Sequence, residues 1–358
     1  MQIEEFNFPT LPRGFKERFY LEIPLSPTER LSSYSIFALT SHDTLDIQRM
    51  EALVSHEIDN ERHVIRLPVV VVNGASDGPT LVAFAGVKGD EYEGMRAITE
   101  VYHLLDPSQM KGNFIGVPVV NVPAFWSATR VSPVDFKNLA RTYPGRPNGS
   151  VSERIAYHSL EKILSHATLF IDLHSGGRHT FLPRLCGYYN DGAELGRVSR
   201  GAAISFGAPV VWEHEILSPG RTIYEAVKKG IPALYTECRG GGHLDEEDTQ
   251  CFTRGLCNLL QYLKVIPGDP VLPPGQRMLG GAGDVDVAVS IQQGGIFRSR
   301  VKLLDQVVEG QLLGEVTNLV GDVIEEVRAN TSGIIELVRS TPRVFPGETI
   351  YLISSELF

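Results

Sequence analysis

Three short stretches of this chain gather charged and polar residues directly after apolar runs. They are Gly86-Val-Lys-Gly-Asp-Glu-Tyr-Glu-Gly94, Ile171-Asp-Leu-His-Ser-Gly-Gly177 and Tyr235-Thr-Glu-Cys-Arg-Gly-Gly-Gly-His243. A fourth stretch, from Asn121 to Gly145, follows another apolar run and is rich in Arg, Asp and Asn. Carboxylates, imidazoles and guanidinium groups move protons, hold metal ions and grip anions. In open α/β sheets such groups collect in loops at the carboxyl ends of strands. The glycine run 240–242 suggests phosphate binding in isolation, but it lacks the lysine and the spacing of a phosphate-binding loop.

The elements that must position these residues are legible in the pattern. HVIRLPVVVVNG, PTLVAFAGV, FIGVPVVNV, ATLFIDLH, APVVWEHE and IPALYTEC are apolar runs of strand length. Between them, Gly94–Leu105, SVSERIAYHSLEKILSHA, Glu194–Ser205, TIYEAVKKGI and DTQCFTRGLCNLLQYLKVI have helical spacing. Continuous apolar strands alternating with helices predict a largely parallel sheet covered on both faces. Residues 1–75 read as β-rich, with the Asn73-Gly74 turn closing a strand. The pattern changes near Pro267, where PGDPVLPPG has the composition of a linker and short strands follow every eight to twelve residues. The expected division is a body over 1–266 and a small all-β domain over 275–358.

Composition removes several classes of function. The 358 residues carry a formal charge of −10 at pH 7, which argues against nucleic acid and against a polybasic membrane contact. No apolar run approaches the roughly 20 residues of a membrane-spanning helix. MQIEEFNFPT has no basic start followed by an apolar core, so it does not read as a signal peptide. Cys186, Cys238, Cys251 and Cys257 form no CxxC pair and read as buried thiols of a reducing compartment, which places the protein in the cytoplasm.

Taken together, the motifs resemble the succinylglutamate desuccinylase/aspartoacylase family, in its branch similar to N-acetyl-diaminobutyrate deacetylases. GVKGDEYEG fills a family motif of the form G-x-H-G-D-E-x-x-G at all but one place, DLHSGG matches a second, and TECRGGG a third. The resemblance implies a zinc-carboxypeptidase-like α/β fold: a mixed, largely parallel sheet flanked by helices, with a small C-terminal all-β domain. It implies one zinc ion and a metal-dependent hydrolase that cleaves the amide of a small N-acyl amino acid. It implies metal ligands at position 88, Glu91 and His174, and Glu237 as the catalytic base that passes a proton to the leaving amine. Asp172 is an expected support for His174. Arg130, Asn138 and Arg141 are the implied substrate-binding residues, and a homo-oligomer is the implied assembly.

Two departures stand out. Position 88 is Lys88 where the family has histidine, and Ala140 replaces the second asparagine of a D-G-x-N-L-N-R pattern, here DFKNLAR. Lysine ligates only as the neutral amine, and deprotonating an ordinary lysine at pH 7 costs about 4.6 kcal/mol. A structural zinc site supplies roughly 10–16 kcal/mol, so ligation by Lys88 is disfavoured rather than forbidden. In the rival arrangement the ammonium pairs with Glu91 in the cation's place, giving a metal-free or catalytically weak homologue that still recognises acyl amino acids. His179 and His243 are lesser candidates for a substitute ligand, and His103, His158 and His166 fall on helices away from the strand ends. The tail segments EGQLLGEV and EEVRANTSGII resemble a biotinyl or lipoyl carrier domain, with Asp322 where the modified lysine would fall, so no covalent cofactor is expected there.

Overall fold

The computed structural model describes residues 12–25, 56–59, 62–281 and 288–356. Much of the β-rich N-terminal stretch expected over 1–75 lies outside the described residues. The strands of the body are β1 (Phe15–Pro24), β2 (Ile58–Asp59), β3 (Val64–Asn73), β4 (Ser76–Ala85), β5 (Lys111–Val117), β6 (Leu169–Leu173), β7 (Thr180–Phe181), β8 (Leu185–Tyr189), β9 (Val210–His214) and β10 (Ala233–Glu237). Its helices are α1 (Glu93–Leu104), α2 (Val122–Trp126), α3 (Val151–Lys162), α4 (Glu194–Phe206), α5 (Thr222–Lys228) and α6 (Glu246–Tyr262). The C-terminal strands are β11 (Arg277–Gly281), β12 (Val289–Ser290), β13 (Gly295–Ser299), β14 (Gln306–Val307), β15 (Leu312–Thr317), β16 (Val323–Arg328), β17 (Gly333–Arg339), β18 (Arg343–Val344) and β19 (Thr349–Glu356).

The main sheet runs β1-β3-β5-β4-β6-β10-β8-β9-β11-β19-β17-β14. Its centre is parallel: β4 pairs with β5 and β6, and β6 with β10. Strand β8 then pairs antiparallel with β10 and parallel with β9. The parallel strands are buried on both faces, as their continuous apolar runs require; Leu81 through Ala85 are each 0% exposed. One apolar cluster packs Val82, Phe84, Ile115, Phe170 and Ile155 on one face. The other packs Leu81, Ile98, Ile171, Phe206 and Phe252 on the opposite face.

β7, β8 and α2 went unread in the sequence. β8 (LCGYY) is a short central strand without a long apolar run, and its central Gly187 faces Tyr235 on β10. α2 is a five-residue helix capped by Asn121, inside a stretch that reads as loop. After the linker, β11 rejoins the main sheet beside β9, and β19 and β17 extend it. A second sheet, β16-β15-β13-β18, completes the C-terminal part. Asp322 lies in the turn between β15 and β16, where its carboxylate accepts a hydrogen bond from the Asn318 amide at 3.0 Å.

Candidate functional site

β4, β6 and β10 are neighbours that run in the same direction, so their carboxyl ends open on one edge of the sheet. Register fixes the alignment: Phe84 and Tyr235 both pair with Asp172. The loop after β4 supplies Lys88 and Glu91, the end of β6 supplies Asp172 and His174, and the end of β10 supplies Glu237. The 88–91 loop is clamped against α2. Asn121 Nδ2 donates to the Val87 carbonyl at 3.2 Å, and the Gly89 amide donates to the Thr129 carbonyl at 2.9 Å. Position 89 must be glycine, because a Cβ there would lie 2.0 Å from the Ala124 backbone.

Four charged groups form a chain through this centre. Lys88 Nζ donates to Glu91 Oε1 at 2.7 Å. Glu91 Oε2 is 2.8 Å from His174 Nδ1, and His174 Nε2 is 3.1 Å from Asp172 Oδ2. Asp172 also accepts from the Thr222 hydroxyl, which starts α5. Arg130 stands 3.8 Å from Glu91 Oε1. Glu91 is fully buried, and burial alone favours its neutral form, but Lys88, His174 and Arg130 outweigh burial and hold its carboxyl well below the usual range. His174 shows the mirror image: burial opposes the imidazolium, and the Asp172 and Glu91 carboxylates overcome it and push the ring up to about 9.

Glu237 has a different environment. Burial pushes its carboxyl up to about 7, against the pull of Lys88. One of its oxygens, Oε2, is buried with no hydrogen-bond partner. A cavity of about 400 Å³ opens in front of it, with Lys88, Arg130, Arg141 and His174 among its lining residues. Glu91 lies behind Lys88, off the cavity wall. The Asn138 side-chain oxygen accepts from the Ala140 amide at 3.1 Å and so caps the turn carrying Arg141; Asn138 is not among the residues lining the cavity. His179 lines the cavity and contacts Thr341 at 3.0 Å; His243 does not line it.

Several wall residues were missed in the sequence. His214 ends β9, and its Nε2 is 2.6 Å from the Tyr235 hydroxyl. Burial lowers its pKa to about 4, so this imidazole is neutral near pH 7. Its place at a strand's carboxyl end was a usable signal. Arg339 and Glu348, paired at 3.0 Å, reach the cavity from the C-terminal strands. No motif marks them, because they arrive through the pairing of β7 with β17.

The zinc ion implied by the motifs fits this donor set poorly. Lys88 is spending an N–H on Glu91, and an ammonium has no lone pair to offer an ion. Both nitrogens of His174 already face carboxylates. The other metal-like cluster among the described residues is Glu93, Cys238 and Asp248, all buried, with donor atoms within 4.8 Å of one another. Asp248 is engaged there by the Arg184 guanidinium and by the Arg239 amide at 3.1 Å.

Comparison with known proteins gives one consistent answer. Residues 77–263 match the family model of the succinylglutamate desuccinylase/aspartoacylase catalytic domain. The N-alpha-acetyl-L-2,4-diaminobutyric acid deacetylase of Halomonas elongata is 31% identical over 294 residues, covering 81% of this chain and 86% of the relative. A succinylglutamate desuccinylase from Silicibacter sp. TM1040 superposes with a TM-score of 0.81 at 25% identity, over 97% of this chain and 98% of that one. The product-bound ectoine utilization protein EutE (DoeB) of Ruegeria pomeroyi superposes with a TM-score of 0.80 at 26% identity, over 97% and 98%.

Proposed function

Because the chain belongs to the succinylglutamate desuccinylase/aspartoacylase catalytic-domain family, we propose that its cavity takes a small N-acyl amino acid and that the chain hydrolyses the amide bond. The observation that carries this reading is Glu237. It is a half-buried side chain on the cavity wall with one buried, unpartnered oxygen and a pKa raised to about 7, facing a cationic wall. A base tuned to the working pH suits proton transfer from water. Glu237 takes one proton as the water oxygen adds to the acyl carbon. It then delivers that proton to the leaving nitrogen as the C–N bond breaks, giving a carboxylic acid and an amine; the acid's remaining proton passes to the amine, so the products at neutral pH are a carboxylate and an ammonium. Arg141 offers a fork to the substrate carboxylate, and Arg130 stands close enough to polarise the acyl oxygen.

The relative that acts on N-acetyl-diaminobutyric acid makes that compound the first substrate to test. Amine release should be followed over a panel of N-acetyl and N-succinyl amino acids, with and without chelator. Absence of turnover on the whole panel would overturn the hydrolase reading.

The Lys88–Glu91 ion pair favours a second reading, a homologue that binds acyl amino acids with little or no turnover. Calorimetry separates the two, since a binder gives saturable heat without product. No helix among the described residues is long and apolar enough to cross a membrane. The four cysteines are free, which suits a cytoplasmic protein, and the family resemblance supports a homo-oligomer.

A further inference from the structure

We propose that the Lys88 ammonium is the resident cation of this centre, replacing a metal ion and presenting its remaining N–H donors to the acyl oxygen of the bound ligand. The geometry is that of a finished site. Lys88 is 5% exposed and Glu91 1%, so the pair is buried, yet Lys88 forms part of the cavity wall while Glu91 sits behind it. Each oxygen of Glu91 has its own nitrogen partner, Lys88 Nζ at 2.7 Å and His174 Nδ1 at 2.8 Å. The contacts run without a gap from Lys88 through Glu91 and His174 to Asp172. A divalent ion placed among them would meet the Lys88 ammonium at close range, and would have to draw Glu91 away from a 2.7 Å contact with Lys88. An ammonium carries three donors, of which Glu91 takes one. Such a donor can hold a carbonyl oxygen, but it cannot generate a metal-bound hydroxide, so water activation falls to Glu237 alone.

The part of this proposal that concerns the acyl oxygen rests on the reading of the pocket as an N-acyl amino acid site; the part that concerns metal does not. The experiment therefore has two arms. In the first, the full chain is purified without added metal, incubated with zinc, freed of excess and analysed for bound metal. The expected result is that the wild-type centre takes up no zinc, and that Lys88→His takes up one equivalent, which is lost again in Lys88→His/Glu91→Gln. A stoichiometric zinc in the wild type that Glu91→Gln removes would overturn the proposal. Zinc that survives Glu91→Gln and disappears in Cys238→Ser belongs to the Glu93–Cys238–Asp248 cluster, and supports the proposal by showing the centre itself to be empty.

The second arm titrates N-acetyl-diaminobutyrate and N-acetylglutamate into metal-free wild type and Lys88→Gln. Loss of one charge-assisted hydrogen bond should weaken binding about tenfold. Equal affinity in the two proteins would overturn the contact with the acyl oxygen. The failures are distinguishable: a metal-free protein that binds neither compound defeats the substrate reading and leaves Lys88 as the cation. A zinc protein that hydrolyses them defeats the cation assignment and leaves the hydrolase.

Discussion

Replacing Lys88 with Met removes the ammonium and keeps most of the apolar stem. Glu91, whose side chain is 1% exposed, then loses its nearest cation. Taking one partner from a buried pair costs about 3–5 kcal/mol, because the survivor remains desolvated and uncompensated. His174 still faces the other oxygen at 2.8 Å, so the lower end applies, about 3 kcal/mol. An unfolding entropy of about 2.1 cal/mol/K per residue gives about 0.75 kcal/mol/K for 358 residues. The expected fall in Tm is therefore about 4 °C, read by differential scanning calorimetry at neutral pH. Burial shields the pair from counterions, so the shift should barely change between low and high salt. Lys88→Met/Glu91→Leu removes both charges and should recover most of the loss, since an apolar pair of similar volume is often neutral in such a place. If Lys88→Met melts with the wild type, Lys88 is not a buried partner of Glu91 and the charge chain is wrong.

Three further outcomes follow from the same geometry. Glu237→Gln keeps the side-chain shape but cannot accept water's proton, so turnover should fall by about 10²–10⁴ while calorimetric affinity for the acyl amino acid stays close to wild type. Gly89→Ala drives a Cβ into the Ala124 carbonyl region, 2.0 Å away on backbone that cannot step aside; overpacking of this kind costs about 1–3 kcal/mol or more, and circular dichroism melts should show a lower midpoint. Glu153, in the first turn of α3, has its carboxyl held down to about 2 by the Ser150 backbone N–H, then by Lys137 and Arg146. A depressed carboxyl stabilises the fold above its unfolded value of about 4.5 and loses that contribution as pH falls towards 2. The stability gap between wild type and Glu153→Gln should therefore narrow over that window, and a gap that widens on acidification would contradict the assignment.

How much of this was visible in the sequence depends on the distance over which each signal acts. The parallel strands and α1, α3, α4, α5 and α6 were legible because burial on both faces of a sheet, or on one face of a helix, writes a local periodicity. β8 was not, because a five-residue strand containing Gly187 has no period to read; its place depends on Tyr235 filling the space above that glycine. The family resemblance pointed to Lys88, Glu91, His174 and Glu237, and the structure brings all four together within a few residues of the ends of adjacent strands. Asn138 shows what a motif leaves out: its side-chain oxygen caps the turn that carries Arg141, a use that only geometry displays. Arg339 and Glu348 were invisible, because the β7–β17 pairing that brings them to the cavity joins segments more than 150 residues apart.

The two carboxylates of the centre explain where the Lys88 substitution should be felt. Glu91 is held ionised by Lys88, His174 and Arg130; Glu237, on the cavity wall with one buried, unpartnered oxygen, is pushed up by desolvation against the pull of Lys88. Environments that drive two acids apart in this way suit separate roles, and the proposed mechanism gives Glu91 that of fixed charge and Glu237 that of proton carrier. On that proposal the substitution alters the fixed-charge side and leaves Glu237 and Arg141 in place. It would remove a means of making hydroxide and would keep a cation for the acyl oxygen and a fork for the carboxylate. Ground-state binding should survive almost whole, and the loss relative to the Lys88→His protein loaded with zinc should fall on kcat and not on KM. Equal losses in both constants would mean that Lys88 disturbs the shape of the pocket as well as its chemistry.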